Sequence, residues 1–212
     1  MAALDLQEQE QLEAFKAWWK ENSNQVFAVL LIVLAAIGGW RGWQYYHQKQ
    51  IIEAATLYEG FFRQLESSDA KRINDAAAAV MEKYSSSAYA SRAALQAAKV
   101  NEENKDFARA RTQLQWAIDH AVEEDLKDVA RLRLAAILID EKKYDDALAL
   151  LKSPHPASFD GLYSDLRGDV LSAQGKTEEA RSAYKLAYEK ADKQGAYRNL
   201  IEMKLDALGA AK

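Results

Sequence analysis

Val170-Leu-Ser-Ala-Gln-Gly-Lys-Thr177 is the stretch whose residue order comes nearest to a chemical motif. A phosphate-binding loop ends in the same Gly-Lys-Thr, its backbone N–H groups cradling phosphate oxygens and its lysine reaching the terminal phosphates. That motif needs glycine where Val170 stands and a strand just before it, and the sequence offers neither. Gly175 reads instead as the turn of a helical hairpin. His47, His120 and His155 are the only histidines, and no metal-ligand spacing links them. Cysteine is absent, which excludes disulfides, thiolate catalysis and cysteine-ligated zinc. No G-x-S-x-G elbow occurs. Carboxylates such as Asp145 and Asp146 lack a histidine or basic partner and read as solvated helix faces. The expectation is a protein that binds rather than catalyses, with no catalytic residue, cofactor or metal.

The elements that would carry binding are helices. Two prolines and nine glycines in 212 residues, with Ala, Leu, Glu and Lys frequent throughout, favour helix over sheet. Period-2 runs of Val, Ile and Thr are missing, so no strand is expected. Net charge is −4 with no basic block, which argues against nucleic-acid binding.

Val26 to Trp40 reads VFAVLLIVLAAIGGW and carries no charge. The run is short for a span, which takes about 20 residues. Phe15, Trp18 and Trp19 before it and Trp40, Trp43, Tyr45 and Tyr46 after it supply the aromatic belts of a spanning helix. Arg41 stands at one end, where its side chain reaches headgroups. Nine Val, Leu, Ile or Phe residues give roughly −3 to −5 kcal/mol for insertion. The expected span is 25–46, with Val26, Leu30, Leu34, Trp40, Arg41 and Trp43 as core and belt. Residues 1–24, rich in acids, do not resemble the basic leader of a cleaved signal peptide. Lys16 and Lys20 on one side balance Arg41 and Lys49 on the other, so charge leaves the orientation open.

Residues 47–212 show repeating helix pairs. In the clearest, from Tyr163 to Asp192, Gly168 is small on the first helix and Gly175-Lys176 turns. Thr177 is expected to cap the second helix, where Ala180, Tyr184 and Ala187 follow on one face. Leu134, Ala135, Tyr144, Ala147 and Leu151 repeat the pattern upstream, as do Ala97, Ala98, Phe107, Ala110, Leu114 and Ala117. Ser153-Pro-His-Pro156 separates two units. Ile51–Glu66 and Asp69–Tyr84 read as a looser pair, and Ala196–Leu208 as a terminal capping helix. The expected fold is all-α: one transmembrane helix, then a tetratricopeptide-like α-solenoid with its cap. Trp116, Tyr144 and Tyr184 are expected in the core. The concave wall, built from the first helix of each pair, is expected to present Leu95, Lys99, Leu132, Ala136, Ile139, Asp165 and Asp169 as a protein-binding groove. For Leu132 and Ile139, packing between helices is an equal reading.

The order of acidic leader, aromatic pair, span, Gly39-Trp-Arg-Gly-Trp43 and repeats resembles the ancillary SecYEG translocon subunit family, the YfgM-type proteins. Asp165-Leu-Arg-Gly-Asp169, Gly175-Lys176, Ala180-Arg181 and Leu132-Arg-Leu-Ala135 strengthen it. The resemblance implies a type II protein of the bacterial inner membrane with its repeats in the periplasm. It implies association with the Sec translocon (SecYEG), with the periplasmic chaperone PpiD and with emerging secreted proteins. A scaffold of another envelope assembly, or a regulator of the envelope stress response, is the alternative.

Overall fold

Residues Leu6–Leu65 form one unbroken helix, α1, of 60 residues. The computed structural model describes residues 6–67, 69–192 and 195–210; the first five residues of the expected N-terminal segment lie outside these. A separate helix beginning at Ile51 does not exist. From His47 to Leu65 the chain has no proline to interrupt the i→i−4 hydrogen bonds, so the helix runs on.

The chain divides into two compact units, Met1–Ile52 and Glu53–Lys212. The first is the long run of α1. Its apolar side chains from Phe27 to Ile37 stand in the open, Leu31 and Ile32 about two-thirds exposed at 66 % and 68 %. The core helix of a water-soluble protein hides such residues. Among the described residues this is the one helix long and apolar enough to cross a membrane.

The second unit contains the end of α1 and eight further helices among the described residues: α2 (Ala70–Lys83), α3 (Ala88–Glu103), α4 (Phe107–His120), α5 (Glu124–Asp140), α6 (Tyr144–Leu150), α7 (Asp160–Ala173), α8 (Thr177–Lys190) and α9 (Ala196–Ala210). All are α-helices, joined by short turns and one 3₁₀ turn at Ala157–Phe159. Asp69, Ser87 and Asp106 cap α2, α3 and α4 by accepting backbone N–H groups of the first turn. The expected cap at Thr177 is displaced by one residue: Lys176 holds the cap position and Thr177 is already helical, with no side-chain cap bond.

Three turns share one geometry. Lys105, Lys142 and Gly175 each adopt a left-handed backbone, φ near 60°, 61° and 75°. The next N–H reaches back five residues, from Asp106 to Asn101, Lys143 to Leu138 and Lys176 to Leu171. This closure satisfies carbonyls that a helix end leaves bare. Only the third turn uses glycine; the lysines tolerate the strain because the closing bonds fix them.

Ala110, Ala147 and Ala180 have no exposed surface, so the hairpins close over small residues as the repeat reading requires. The main core joins α3 to α7, with Leu114, Leu151, Tyr163 and Val170 fully buried. Each such side chain contributes about 1.5–3 kcal/mol relative to exposure. Phe61, Ile73, Ala77 and Val80 form a second cluster with α3, and Ile201 of α9 seals a third against Tyr184 and Ala187. Tyr184 is buried, while Trp116 and Tyr144 are half-buried against the core.

Candidate protein-binding surfaces

One surface of the repeat domain is framed by α5, α7 and α9. Leu132, Ala136 and Asp165 line a pocket of about 230 Å³ there, with Arg133, Leu162, Leu166 and Tyr197. Leu162 is 40 % exposed and offers the apolar contact at the mouth. Arg133 is held from behind, donating to the Leu95 carbonyl at 2.8 Å and to Glu102 at 3.0 Å.

The other expected groove residues lie elsewhere. Leu95 is buried in the core, and Ile139 packs against it. Leu132, at 9 % exposure, shows the pocket only an edge. Lys99 is exposed and pairs with Glu103 at 3.8 Å. Asp169 does not line the pocket; with Asp165 it is tied to α9. Lys204 Nζ donates to Asp165 at 2.8 Å and to Asp169 at 2.9 Å. Tyr197 Oη donates to Asp165 at 3.1 Å, and Tyr184 Oη to Asp169 at 2.8 Å. The terminal helix therefore does more than close the stack: it brings one ammonium and one phenol onto two carboxylates of α7.

The same arrangement recurs one repeat earlier. Ser91, Asp128 and Asp165 occupy successive first helices at equal spacing, and all three are buried. Tyr163 Oη donates to Asp128 at 2.7 Å, as Tyr197 does to Asp165, and Arg131 adds an ion pair at 2.7 Å. Such partners offset the cost of burying a carboxylate. Nothing local in the sequence marks Asp128 as functional; its register with Asp165, 37 residues on, is the signal that points to it.

The phosphate-loop-like stretch has Val170 and Leu171 packed inside α7 and Gly175 at the left-handed turn. His47 lies against Trp43, His120 stacks on Trp116, and His155 stacks on Tyr163 at 3.7 Å. Among the described residues no group of three or more His, Cys, Asp or Glu side chains is placed to hold a metal ion. Of the expected span, Leu30, Leu34, Trp40, Arg41 and Trp43 are exposed and Val26 is half-exposed.

The model of the tetratricopeptide repeat-like domain family matches residues 16–210. A Neisseria gonorrhoeae protein named ancillary SecYEG translocon subunit is 33 % identical over 209 residues, covering 97 % of this chain and 99 % of that protein. The chain belongs to the ancillary SecYEG translocon subunit family. Proteins of the same name from Haemophilus influenzae, at 29 % identity, and Escherichia coli K12, at 28 %, match over 97 % and 95 % of the chain and 100 % and 96 % of their own lengths.

In this family member the α9 cluster sets an alkaline limit. Burial alone would lower Lys204, but hydrogen bonds to Asp165 and Asp169 outweigh it and hold the ammonium above its ordinary 10.5. Burial, then the neighbouring aspartates, push the Tyr184 and Tyr197 phenols above their ordinary 10.0. Burial raises the Asp165 carboxyl against the pull of Lys204. Lys204, Tyr184 and Tyr197 all titrate higher folded than unfolded. Their contribution to stability is complete below the unfolded values and is lost as pH rises through the folded ones. Stability should therefore hold to about pH 10 and then fall. Lys204→Met should cost about 2 kcal/mol at neutral pH, by leaving two carboxylates without a cation, and should flatten the alkaline fall. Urea denaturation followed by circular dichroism across pH 7–11 checks both; an unchanged pH profile in Lys204→Met would refute the assignment.

Proposed function

We propose that this protein is a single-pass inner-membrane subunit that works beside the Sec translocon as a non-catalytic adaptor for proteins emerging into the periplasm. Residues 1–24 are cytoplasmic, 25–46 span the membrane, and 47–212 form the periplasmic repeat domain. The pocket around Leu132, Ala136 and Leu162 takes a segment of polypeptide, and a membrane-anchored periplasmic chaperone shares the clients. The observation that carries this reading is the near full-length match to proteins named ancillary SecYEG translocon subunits. The long apolar helix and the repeat-like domain support it.

Two measurements test it. Alkaline phosphatase fused after Lys212 should be active, because the enzyme works only on the periplasmic side; a silent fusion would place the repeats in the cytoplasm. Photo-crosslinkers at Leu30 in the span and at Leu162 in the pocket should capture translocon subunits and a periplasmic chaperone or its clients, respectively. Recovery of cell-wall or outer-membrane assembly proteins alone would transfer the protein to a different envelope assembly.

A further inference from the structure

The pocket beside Leu162 uses one side of α5, and the opposite side floors a larger groove. Leu134 and Leu138 each follow Leu132 and Ala136 by two residues, about 200° further round the helix. They turn away from that pocket into a groove of about 830 Å³ between α4 and α6. One wall is a strip of α4 from Arg111 to His120, about 13 Å long. The other is α6, seven residues long where α4 and α8 each have 14. Trp116 stacks flat on His120, centroids 4.5 Å apart and planes 7° from parallel, and forms an aromatic shelf. Ala149 stands exposed on the facing wall.

The charges of this groove are unequally satisfied. Its cations, Arg111 and Lys143, both pair with Glu141. Its carboxylates do not have cations: Asp119 accepts the Gln115 amide at 2.9 Å, and Asp146 is exposed, with neither in an ion pair among the described residues.

We infer that the groove receives an amphipathic helix of a partner protein, apolar toward Trp116, Ala149 and Leu150 above the edges of Leu134 and Leu138, and carrying lysine or arginine toward Asp119 and Asp146. A helix fits because all three walls are helices whose backbone groups are already paired. An extended segment would turn part of its N–H and C=O groups onto Trp116, Leu134, Leu138 and Leu150, which cannot bond them, whereas a helix brings its own hydrogen bonds. Basic side chains fit because they meet two carboxylates that no cation pairs among the described residues. With Leu162 on one side of α5 and Trp116 on the other, the domain holds two separate ligands at once.

The test uses the full-length chain in detergent and fluorescence anisotropy with three dye-labelled 14-residue peptides: an Ala/Leu helix with lysines along one edge, the same helix with glutamates, and a proline-interrupted extended version of the first. The lysine helix should bind saturably, the glutamate helix more weakly and the extended peptide not at all. Ala149→Trp, at an exposed position, should weaken lysine-helix binding about tenfold by filling the groove. Asp119→Lys with Asp146→Lys should turn the preference toward the glutamate helix by about threefold per site. Leu162→Arg, in the other pocket, should change neither. Equal binding of both charged helices, tighter binding of the extended peptide, or indifference to Ala149→Trp overturns the inference. So does self-association of the chain that Ala149→Trp abolishes without any peptide binding, since the occupant is then a second copy. Capture of translocon subunits from Leu30 and of a chaperone or its clients from Leu162 is read separately, so failure here leaves the proposed function standing.

Discussion

Asn101→Asp is expected to cost about 4 kcal/mol, a large share of the 5–15 kcal/mol that holds a domain folded. Asn101 is 1 % exposed and sits in a closed ring of amides from three helices. Its Nδ2 donates to Asn74 Oδ1 at 2.8 Å and to Gln113 Oε1 at 2.7 Å. Its Oδ1 accepts from Asn74 Nδ2 at 2.9 Å, and Gln113 Nε2 closes the ring on Asn74 Oδ1 at 2.7 Å. Aspartate keeps the shape and removes both donors, so an oxygen faces two acceptor oxygens. Each orphaned buried group costs about 1–3 kcal/mol, and an ionised carboxylate would have no cation in the ring. The new carboxyl therefore titrates above the usual aspartate value when folded. The defect should be smallest in acid and grow as pH rises above about 4, where the unfolded chain ionises first. Asn101→Leu, which abandons the ring without charge, should cost about 2 kcal/mol. Urea unfolding of the full chain at pH 4 and pH 8 measures all three quantities. A loss under 1 kcal/mol for the aspartate variant, or the opposite pH trend, would sink this account.

The second large effect concerns Gly168. A Cβ built there lies 2.4 Å from both Cδ1 and Cε1 of Tyr184 and 3.0 Å from its Cγ. The ring cannot swing away, because Tyr184 is buried and its hydroxyl is bonded to Asp169. Gly168→Ala should therefore destabilise by about 2 kcal/mol, even though alanine in a helix ordinarily gains about 1 kcal/mol over glycine. The cause is specified by a double-mutant cycle. In a Tyr184→Ala background the ring is gone, and Gly168→Ala should become neutral or stabilising by its helix preference alone. Additive losses would mean that the close approach of the two helices is not what the glycine serves. Because Tyr184 also anchors Asp169, Gly168→Ala should in addition flatten the alkaline loss that the α9 cluster produces, since a displaced phenol titrates closer to its unfolded value.

Several features of this protein were legible in one dimension because they depend on neighbours within two turns of helix. The exposed apolar run and its aromatic flanks, the small residues Ala110, Ala147 and Ala180, the turn at Gly175 and the terminal helix are all local periodicities, and the fold carries them as read. Local reading failed where two continuations were equally helical. No residue near Ile51 or Thr177 dictates a start, so α1 ran through the first and Lys176 took the cap at the second.

The groove residues show the deeper limit. Sequence register placed Leu95, Leu132 and Asp165 on the first helices correctly, but a helix has more than one side. Which side meets solvent depends on the angle at which the next hairpin packs. Packing put Leu95 in the core, left Leu132 an edge, and brought Lys204 from 39 residues away onto Asp165. The amide ring, the tyrosine–aspartate ladder and the two grooves on opposite sides of α5 are likewise products of long-range approach. The amino-acid order thus determined that this chain is a helix long and apolar enough to cross a membrane followed by helical hairpins, because periodicity alone specifies which faces must be buried. Only the tertiary structure decided which polar groups found partners and which surfaces stayed open, because those depend on side chains brought together from different repeats.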